Sequence, residues 1–316
     1  MASKKNSQES RNESRRLRKW LSREDPVSIA THMRVDADAA FSAALLHILR
    51  PQASIAFVRA DSVITSPDTI AVDMLEGPRA VKGLEVGSAF GLIVSVMKDI
   101  DRPVHKALKR WAQQLNLTDS GKCCNDRVVL AGIVNCWRSL NLSDSEIVSR
   151  AEELIRGKIL NEHRNQELSN TAESIDINEG VAVVPEHLRV KALHLFKRGA
   201  KAVIRQSELG QSVNIAKFFQ EQGVSLTELS PLLPEGWFVH PDGFLACYGS
   251  VKAPKDYRDS GIKLEDLVIV IKTWVKSHEE SRQRKCAVQL DALVKKLYPT
   301  KTCSSPSEGL PKEAIV

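Results

Sequence analysis

The chain has 316 residues, of which 42% are hydrophobic and 27% are charged, and its formal net charge is +6. This length allows two domains with apolar cores, and the composition excludes a fibrous or wholly disordered protein. No window approaches the run of about 18 apolar residues that a transmembrane helix needs, so we expect no membrane-spanning segment. The six cysteines form no Cys-x-x-Cys pair and follow no secretory signal, which predicts reduced thiols and a cytoplasmic protein.

The N-terminal segment is strongly basic. Residues 1–23 carry eight Lys or Arg side chains against Glu9 and Glu13, and they include few apolar residues. This composition predicts a flexible, solvated arm over residues 1–25 with one short helix around residues 15–21. Such an arm would attract nucleic acid or serve as a targeting peptide, which leaves an organellar location open.

Residues 26–160 alternate between predicted strands and predicted helices. Short β-branched runs indicate strands, and longer periodic segments indicate helices. The strands are predicted at 27–30, 54–60 and 68–74, and the helices at 39–49, 86–97, 104–115, 127–140 and 143–156. Strands separated by helices favour an α/β domain with a mostly parallel sheet flanked by helices.

A second, smaller α+β domain is predicted over residues 179–298. The polar segment 157–178 separates it from the first domain. Its predicted elements are strands at 180–184 and 200–206, a helix at 214–222, a hairpin of 236–240 and 244–249 around Pro-Asp-Gly, and helices at 264–277 and 285–297. Residues 299–316 are predicted to be a disordered tail.

Polar side chains follow two of the predicted strands. His32, Asp36 and Asp38 lie between the first strand and its helix, and Asp73 ends the third strand. Because ligands bind at the carboxyl ends of the strands in open α/β sheets, we expect these groups to share one crevice. Carboxylates clustered in this way need bound cations, and His with Asp is a ligand set for divalent metals. Taken singly, His32 would more often be a structural histidine and Asp36 more often a helix N-cap, and Asp73 could cap a turn.

Other features offer weaker candidates for the same chemistry. Asp119 lies in a Thr-Asp-Ser-Gly turn, and Gly87 and Ser88 open a helix whose free amides would suit an anion. His240 and Gly243 lie at the tip of the predicted hairpin. Each of these also reads as an ordinary turn or helix start.

The pattern His32-x-x-x-Asp36-x-Asp38, with Asp73 and the turn at Asp119, resembles motifs I, II and IV of the DHH phosphoesterase superfamily across residues 26–125. Residues 238–244, Phe-Val-His-Pro-Asp-Gly-Phe, are similar to a segment of its melanocyte-proliferating-gene-type branch, whose members are 3′–5′ RNA exonucleases. Two departures are present. Asp36 replaces the second His of that branch's opening motif, and the Asp-His-His triplet that names the superfamily is absent.

The resemblance implies metal-dependent phosphodiester hydrolysis of a nucleotide or nucleic acid, with RNA favoured over DNA, in a first domain of the DHH type and a second that binds substrate. One or two Mn²⁺ or Mg²⁺ ions would be held by His32, Asp36, Asp38, Asp73 and Asp119. The catalytic groups would be Asp36, Asp73 and Lys82, where Lys82 stands in the segment that lacks the triplet. Substrate contacts would come from Arg79, Gly87, Ser88, His240 and Gly243.

Two other functions are compatible with these residues. The missing triplet and the basic arm are consistent with a catalytically inactive DHH-like protein that binds nucleic acid or nucleotides. A small-molecule phosphatase or pyrophosphatase would use the same metals in a closed pocket. The exposed-looking helices of the second half would allow a homodimer. Of these alternatives we expect hydrolysis through a reduced metal site.

Overall fold

The computed structural model describes residues 2–75, 77–122 and 129–297, so the predicted tail at 299–316 lies outside the described residues. The chain divides into two units, Met1–Glu167 and Leu168–Val316. Within the described ranges, no helix is both long enough and apolar enough to cross a membrane.

The first unit is built on a parallel sheet. Its described elements are α1 (Ala2–Leu21), β1 (Ser28–His32), α2 (Ala37–Leu49), β2 (Ser54–Val58), β3 (Thr69–Val72), β4 (Ala80–Val81), α3 (Ala89–Ile100), α4 (Arg102–Asp119), α5 (Leu130–Ser139) and α6 (Asp144–Glu173). The strands lie in the order β2-β1-β3-β4, and every neighbouring pair is parallel. The predicted α/β class is therefore confirmed, although the two-residue strand β4 was not predicted.

Helix α2 lies at the centre of the first core. Nearly all of its apolar and small residues from Ala37 onward are buried, and Phe41 packs edge to face on Phe90 of α3 and Trp111 of α4. A helix that is apolar on all sides is stable only when other elements surround it. This packing fixes the N-terminus of α2 directly beyond the carboxyl end of β1.

The predicted flexible arm is wrong over much of its length, because residues 2–21 form the helix α1. Glu13, Leu17 and Trp20 are buried, and they recur at the spacing of one helical face. The two apolar side chains join the core of the first unit. The high charge of the segment concealed this narrow buried stripe, which the helical period would have revealed.

The second unit contains a mixed sheet. Its described elements are β5 (Ile177–Asn178), β6 (Val181–Val184), α7 (Ala192–Lys197), β7 (Ala202–Ser207), β8 (Gly210–Ile215), α8 (Lys217–Gln220), β9 (Phe238–Val239), β10 (Leu245–Tyr248) and α9 (Leu264–Leu297), with 3₁₀ helices at Leu226–Leu232 and Tyr257–Asp259. The strand order is β5-β6-β7-β8-β10-β9, in which only β6 and β7 pair in parallel. The predicted hairpin is present as β9 and β10.

Three predicted segments differ from the structure in their secondary structure. The segment 214–222 was predicted as a helix, but Val213 and Ile215 are buried at alternate positions of strand β8, and only residues 217–220 are helical. The division between the two units, after Glu167, falls within the polar segment 157–178 that was predicted to separate the domains, but most of this segment is helical because α6 continues to Glu173. The two predicted C-terminal helices are the single helix α9. In the last two cases local composition suggested a break in a helix that is continuous in the structure.

Candidate metal centre

An imidazole and two carboxylates meet at the carboxyl edge of the parallel sheet. His32 ends β1, Asp36 is the N-cap of α2, and Asp73 directly follows β3. The Nε2 of His32 lies 3.1 Å from Asp73 Oδ2 and 4.0 Å from Asp36 Oδ2. One ligand atom from each residue lies within 4.8 Å of the other two. This spacing would let a single ion contact all three groups.

The turn between His32 and Asp36 is held from α6. Arg34 has a φ of 55°, and its N–H and that of Val35 donate to the two oxygens of Asp144 at 2.8 and 3.0 Å. The Arg138 guanidinium also donates to the carbonyl of Val35. Asp144 therefore fixes the turn that carries His32 and Asp36, but it is not itself one of the three clustered residues. No local sequence signal predicts this contact, because the partners are 110 residues apart.

The cluster is electrostatically unbalanced unless it holds a positive charge. The hydrogen bond with Asp73 raises the pKa of His32 to about 9, so the imidazole is protonated at neutral pH in the metal-free protein. Burial raises the pKa of Asp36, and the Asp73 carboxylate raises it further. A divalent ion would replace the imidazole proton as the balancing charge. The donor set of one imidazole and two carboxylates fits Mn²⁺, and its oxygens also suit Mg²⁺.

Asp38, a predicted metal ligand, is turned away from the other three groups. It is only 3% exposed, and its two oxygens accept from the backbone N–H groups of Ala89 and Phe90 at 2.7 and 2.8 Å. Burial raises the pKa of Asp38 well above its usual range, and the Asp73 charge adds to this. Its contacts give Asp38 a structural role at the N-terminus of α3.

The predicted anion site at the start of α3 is filled by the protein itself. Asp38 takes two of the amides, and the buried Ser88 hydroxyl accepts from the Gly91 N–H while donating to Asn116 Oδ1. At Gly87, which has a φ of 106°, an added Cβ would lie 2.8 Å from the Asn116 carbonyl. Gly87 and Ser88 therefore join α3 to α4, and the Gly87 N–H and the Ser88 hydroxyl both donate to acceptors within the protein.

Two further predicted residues lie near the cluster. Asp119 ends α4, where partial burial raises its pKa and the charges of Asp73 and Asp36 raise it further. Lys82 follows β4 at the same sheet edge, and its ammonium partly opposes that rise. Lys82 is placed by a residue that the sequence did not identify, since the buried Glu13 of α1 accepts from the Lys82 N–H at 2.7 Å.

Arg79 does not lie at this edge. It precedes β4, whereas Lys82 follows that strand, so the two residues stand at opposite ends of β4. The Arg79 side chain lines a cavity with Thr69 and Ile70, which begin β3. Its predicted contact with a substrate at the metal cluster is therefore wrong, because the prediction contained no strand between Arg79 and Lys82.

In the second unit, His240 and Gly243 shape the turn between β9 and β10. His240 Nδ1 accepts from the Asp242 N–H at 3.1 Å, and its ring centroid lies 4.2 Å from that of Phe244. Gly243 has a φ of 67°, and an added Cβ would collide with Ser225 Oγ. The His240 imidazole is half-buried and keeps its Nε2 outside this local bonding, while Gly243 is required by the turn.

No family model and no curated protein matches the chain. RecJ from Thermus thermophilus, in complex with Mg²⁺, is 14% identical with a TM-score of 0.27 over 85% of this chain and 52% of that one. An exopolyphosphatase-related protein from Bacteroides fragilis is 13% identical with a TM-score of 0.26, over 85% and 96%. The DHH domain of a member of the S1p family of ribosomal proteins is 11% identical with a TM-score of 0.31, over 79% and 87%.

The chain spans about half the length of the RecJ structure that it matches. One matched structure is described as a DHH domain, the superfamily that the sequence motifs resemble. Similarity at this level does not define a reaction, so a function must be argued from the side chains of the cluster.

Proposed function

We propose that the first unit binds one Mn²⁺ or Mg²⁺ ion through His32, Asp36 and Asp73 and hydrolyses a phosphodiester bond in a nucleotide or nucleic acid. The observation that carries this proposal is the approach of the three ligand atoms to within 4.8 Å at the carboxyl edge of the sheet. The motif resemblance to DHH phosphoesterases supplies the reaction class. One ion is favoured over two because the Asp38 oxygens bind the amides at the N-terminus of α3, which leaves three ligands in the cluster.

The protein's own groups divide the work at this edge. Asp36 and Asp73 provide anionic ligands, and the His32 imidazole becomes a ligand when it loses its proton. The bound ion would supply Lewis-acid chemistry for transfer of the phosphoryl group to water. Lys82 would place positive charge against the phosphoryl oxygens, a role that a fixed cation can fill. The Asp119 carboxylate, with its raised pKa, would accept a proton near the reacting groups.

The second unit would bind the end of the substrate through the β9–β10 turn. Phe238 is 51% exposed and Phe244 is 36% exposed, and both rings lie against His240. Exposed aromatic rings provide stacking surfaces for nucleobases, and the His240 Nε2 would face a phosphate or sugar oxygen. Replacing His240 should therefore weaken substrate binding more than it slows turnover.

Metal content and turnover test the proposal together. We expect the purified chain to bind about one Mn²⁺ per molecule and to hydrolyse a short single-stranded RNA only when metal is present. His240→Ala should raise KM with a smaller change in kcat. Turnover that persists after exhaustive chelation would refute the metal-dependent mechanism. One bound Mn²⁺ with no hydrolysis of RNA, dinucleotides or pyrophosphate would favour the inactive binding protein.

Metal affinity should depend on pH through His32. Its pKa of about 9 lies above the usual value of 6.5, so the metal-free site holds a proton that the ion must displace below pH 9. We expect the apparent Kd for Mn²⁺ to fall about tenfold per unit between pH 7 and pH 8.5. Calorimetry in buffers of different ionisation enthalpy should show release of about one proton per ion. An affinity that is constant over this range would mean that His32 is not a ligand.

A further inference from the structure

A second cluster of charged side chains lies near the amino end of β3, at the end of the parallel sheet opposite the metal cluster. It lines a cavity of about 90 Å³ between α1 and the start of β3. The cavity is walled by Trp20, Pro67, Thr69 and Ile70 and by four basic residues, Arg16, Lys19, Arg23 and Arg79. Thr69 and Asp73 are separated by about 13 Å of extended chain, so this cavity is distinct from the metal cluster.

The acids nearby balance only part of this charge. Arg16 pairs with Glu9, and Arg23 pairs with Asp68 and more distantly with Asp25. Among the residues that the structure describes, Lys19 and Arg79 have no acidic partner. The cavity therefore carries positive charge that an anion could neutralise.

The guanidinium groups also have unused donors. The Nε atoms of Arg16, Arg23 and Arg79 are buried, and none has a hydrogen-bond partner within the described ranges. A buried N–H without an acceptor is costly, and a guanidinium is matched in geometry to the oxygens of a phosphate group. These three atoms indicate that a ligand with several oxygen acceptors completes the cavity.

The solvent face of α1 extends the positive charge beyond the cavity. Arg11, Arg15 and Lys19 are exposed and stand at intervals of four residues, so they form one row along the helix. Successive members are about 6 Å apart along the axis, so the row is a continuous line of positive charge on one side of the helix. The same helix reaches the metal edge through the contact between Glu13 and Lys82.

We propose that the cavity and the row of α1 form a metal-independent binding site for the phosphates of a single-stranded polynucleotide. The cavity would take one phosphate between Arg16, Arg23 and Arg79, and the row would follow the adjoining backbone. The chemistry is that of phosphate oxygens alone, so no base preference is expected at this site. The site does not require the proposed hydrolysis, because it uses none of the residues of the metal cluster.

The test is binding of a fluorescein-labelled single-stranded RNA of about 12 nucleotides to the full chain in EDTA, followed by anisotropy at several salt concentrations. Lys19→Gln/Arg79→Gln should weaken binding about tenfold, and the slope of log K against log salt should decrease by roughly 1.4. Lys19→Gln alone should give about half of this change in slope. Its exposed side chain has no acidic partner within the described ranges, so this variant should fold normally.

Arg102→Gln/Lys109→Gln is the matched control, since it removes the same charge from exposed positions of α4. RNA affinity equal in both double variants would overturn the site, because net charge alone would then explain the binding. RNA that binds no tighter than a mononucleotide or inorganic phosphate would overturn the polynucleotide as its occupant. Metal-dependent turnover is measured separately, so loss of hydrolysis with retained RNA binding would overturn only the proposed function.

Discussion

Asp73→Asn should abolish Mn²⁺ binding and hydrolysis while leaving the fold intact. Asp73 contributes one of the two carboxylates of the cluster and accepts the hydrogen bond from His32. Loss of an outer partner of a metal ligand typically costs 10–100-fold in affinity, so loss of the ligand itself should cost at least about 100-fold. The pKa of His32 should also fall toward its usual value, because the contact with Asp73 is the main cause of its rise.

Asparagine suits the backbone at this position. Asp73 has a φ of 52°, in the left-handed region that Asn tolerates better than most side chains, and its N–H still donates to the Val81 carbonyl at 3.0 Å. We expect metal-free stability at neutral pH to change by no more than about 1 kcal/mol, since the weakened His32 contact is offset by less repulsion among carboxylates. Calorimetric titration and thermal unfolding measure the two effects separately.

Asp61→Asn is the control for this substitution. Asp61 is an exposed acid of the first unit that pairs with Arg59, and such surface pairs contribute little to stability. It should bind Mn²⁺ like the parent chain. If Asp73→Asn also retains parental Mn²⁺ affinity, the three clustered groups are a structural ion pair and not a metal site.

The convergence of His32, Asp36 and Asp73 was predictable because it follows from topology. Parallel neighbouring strands place their carboxyl ends at one edge, and the residues after those ends must meet there. The same rule places Arg79 and Lys82 at opposite ends of β4. It could not be applied from the sequence, because a strand of two residues gives too weak a periodic signal to be predicted.

The remaining parts of the site depend on contacts between distant segments. Asp144 reaches the turn at Arg34, and Glu13 reaches the backbone of Lys82. Neither side chain lies in a local sequence pattern that predicts its hydrogen-bond partner. The role of α1 differs, since its buried face has helical spacing. The high charge of α1 masks this period, and it masks with it the basic cavity that α1 helps to form.

Asp38 is the residue for which motif and structure disagree most, and its replacement separates them. In the motif resemblance Asp38 is a metal ligand, whereas in the structure its oxygens bind the amides of Ala89 and Phe90. Asp38→Ala would leave two buried N–H groups without acceptors, each at about 1–3 kcal/mol. The substitution also removes the cost of burying the Asp38 carboxylate, which raises its pKa, and this gain in stability opposes the loss. We therefore expect a net destabilisation of about 2–3 kcal/mol.

Thermal unfolding should show a decrease in Tm of about 5–10 °C for Asp38→Ala, with an intact Mn²⁺ site in the folded fraction. Ser88→Ala, which removes the neighbouring cap of α3, should be destabilising by about 1 kcal/mol and also leave metal binding unchanged. The opposite pattern for Asp38→Ala, parental stability with lost Mn²⁺ affinity, would show that the carboxylate turns toward the cluster when metal binds. The cap role predicts lost stability and the ligand role predicts lost affinity, so both quantities measured on one variant separate the two roles of Asp38.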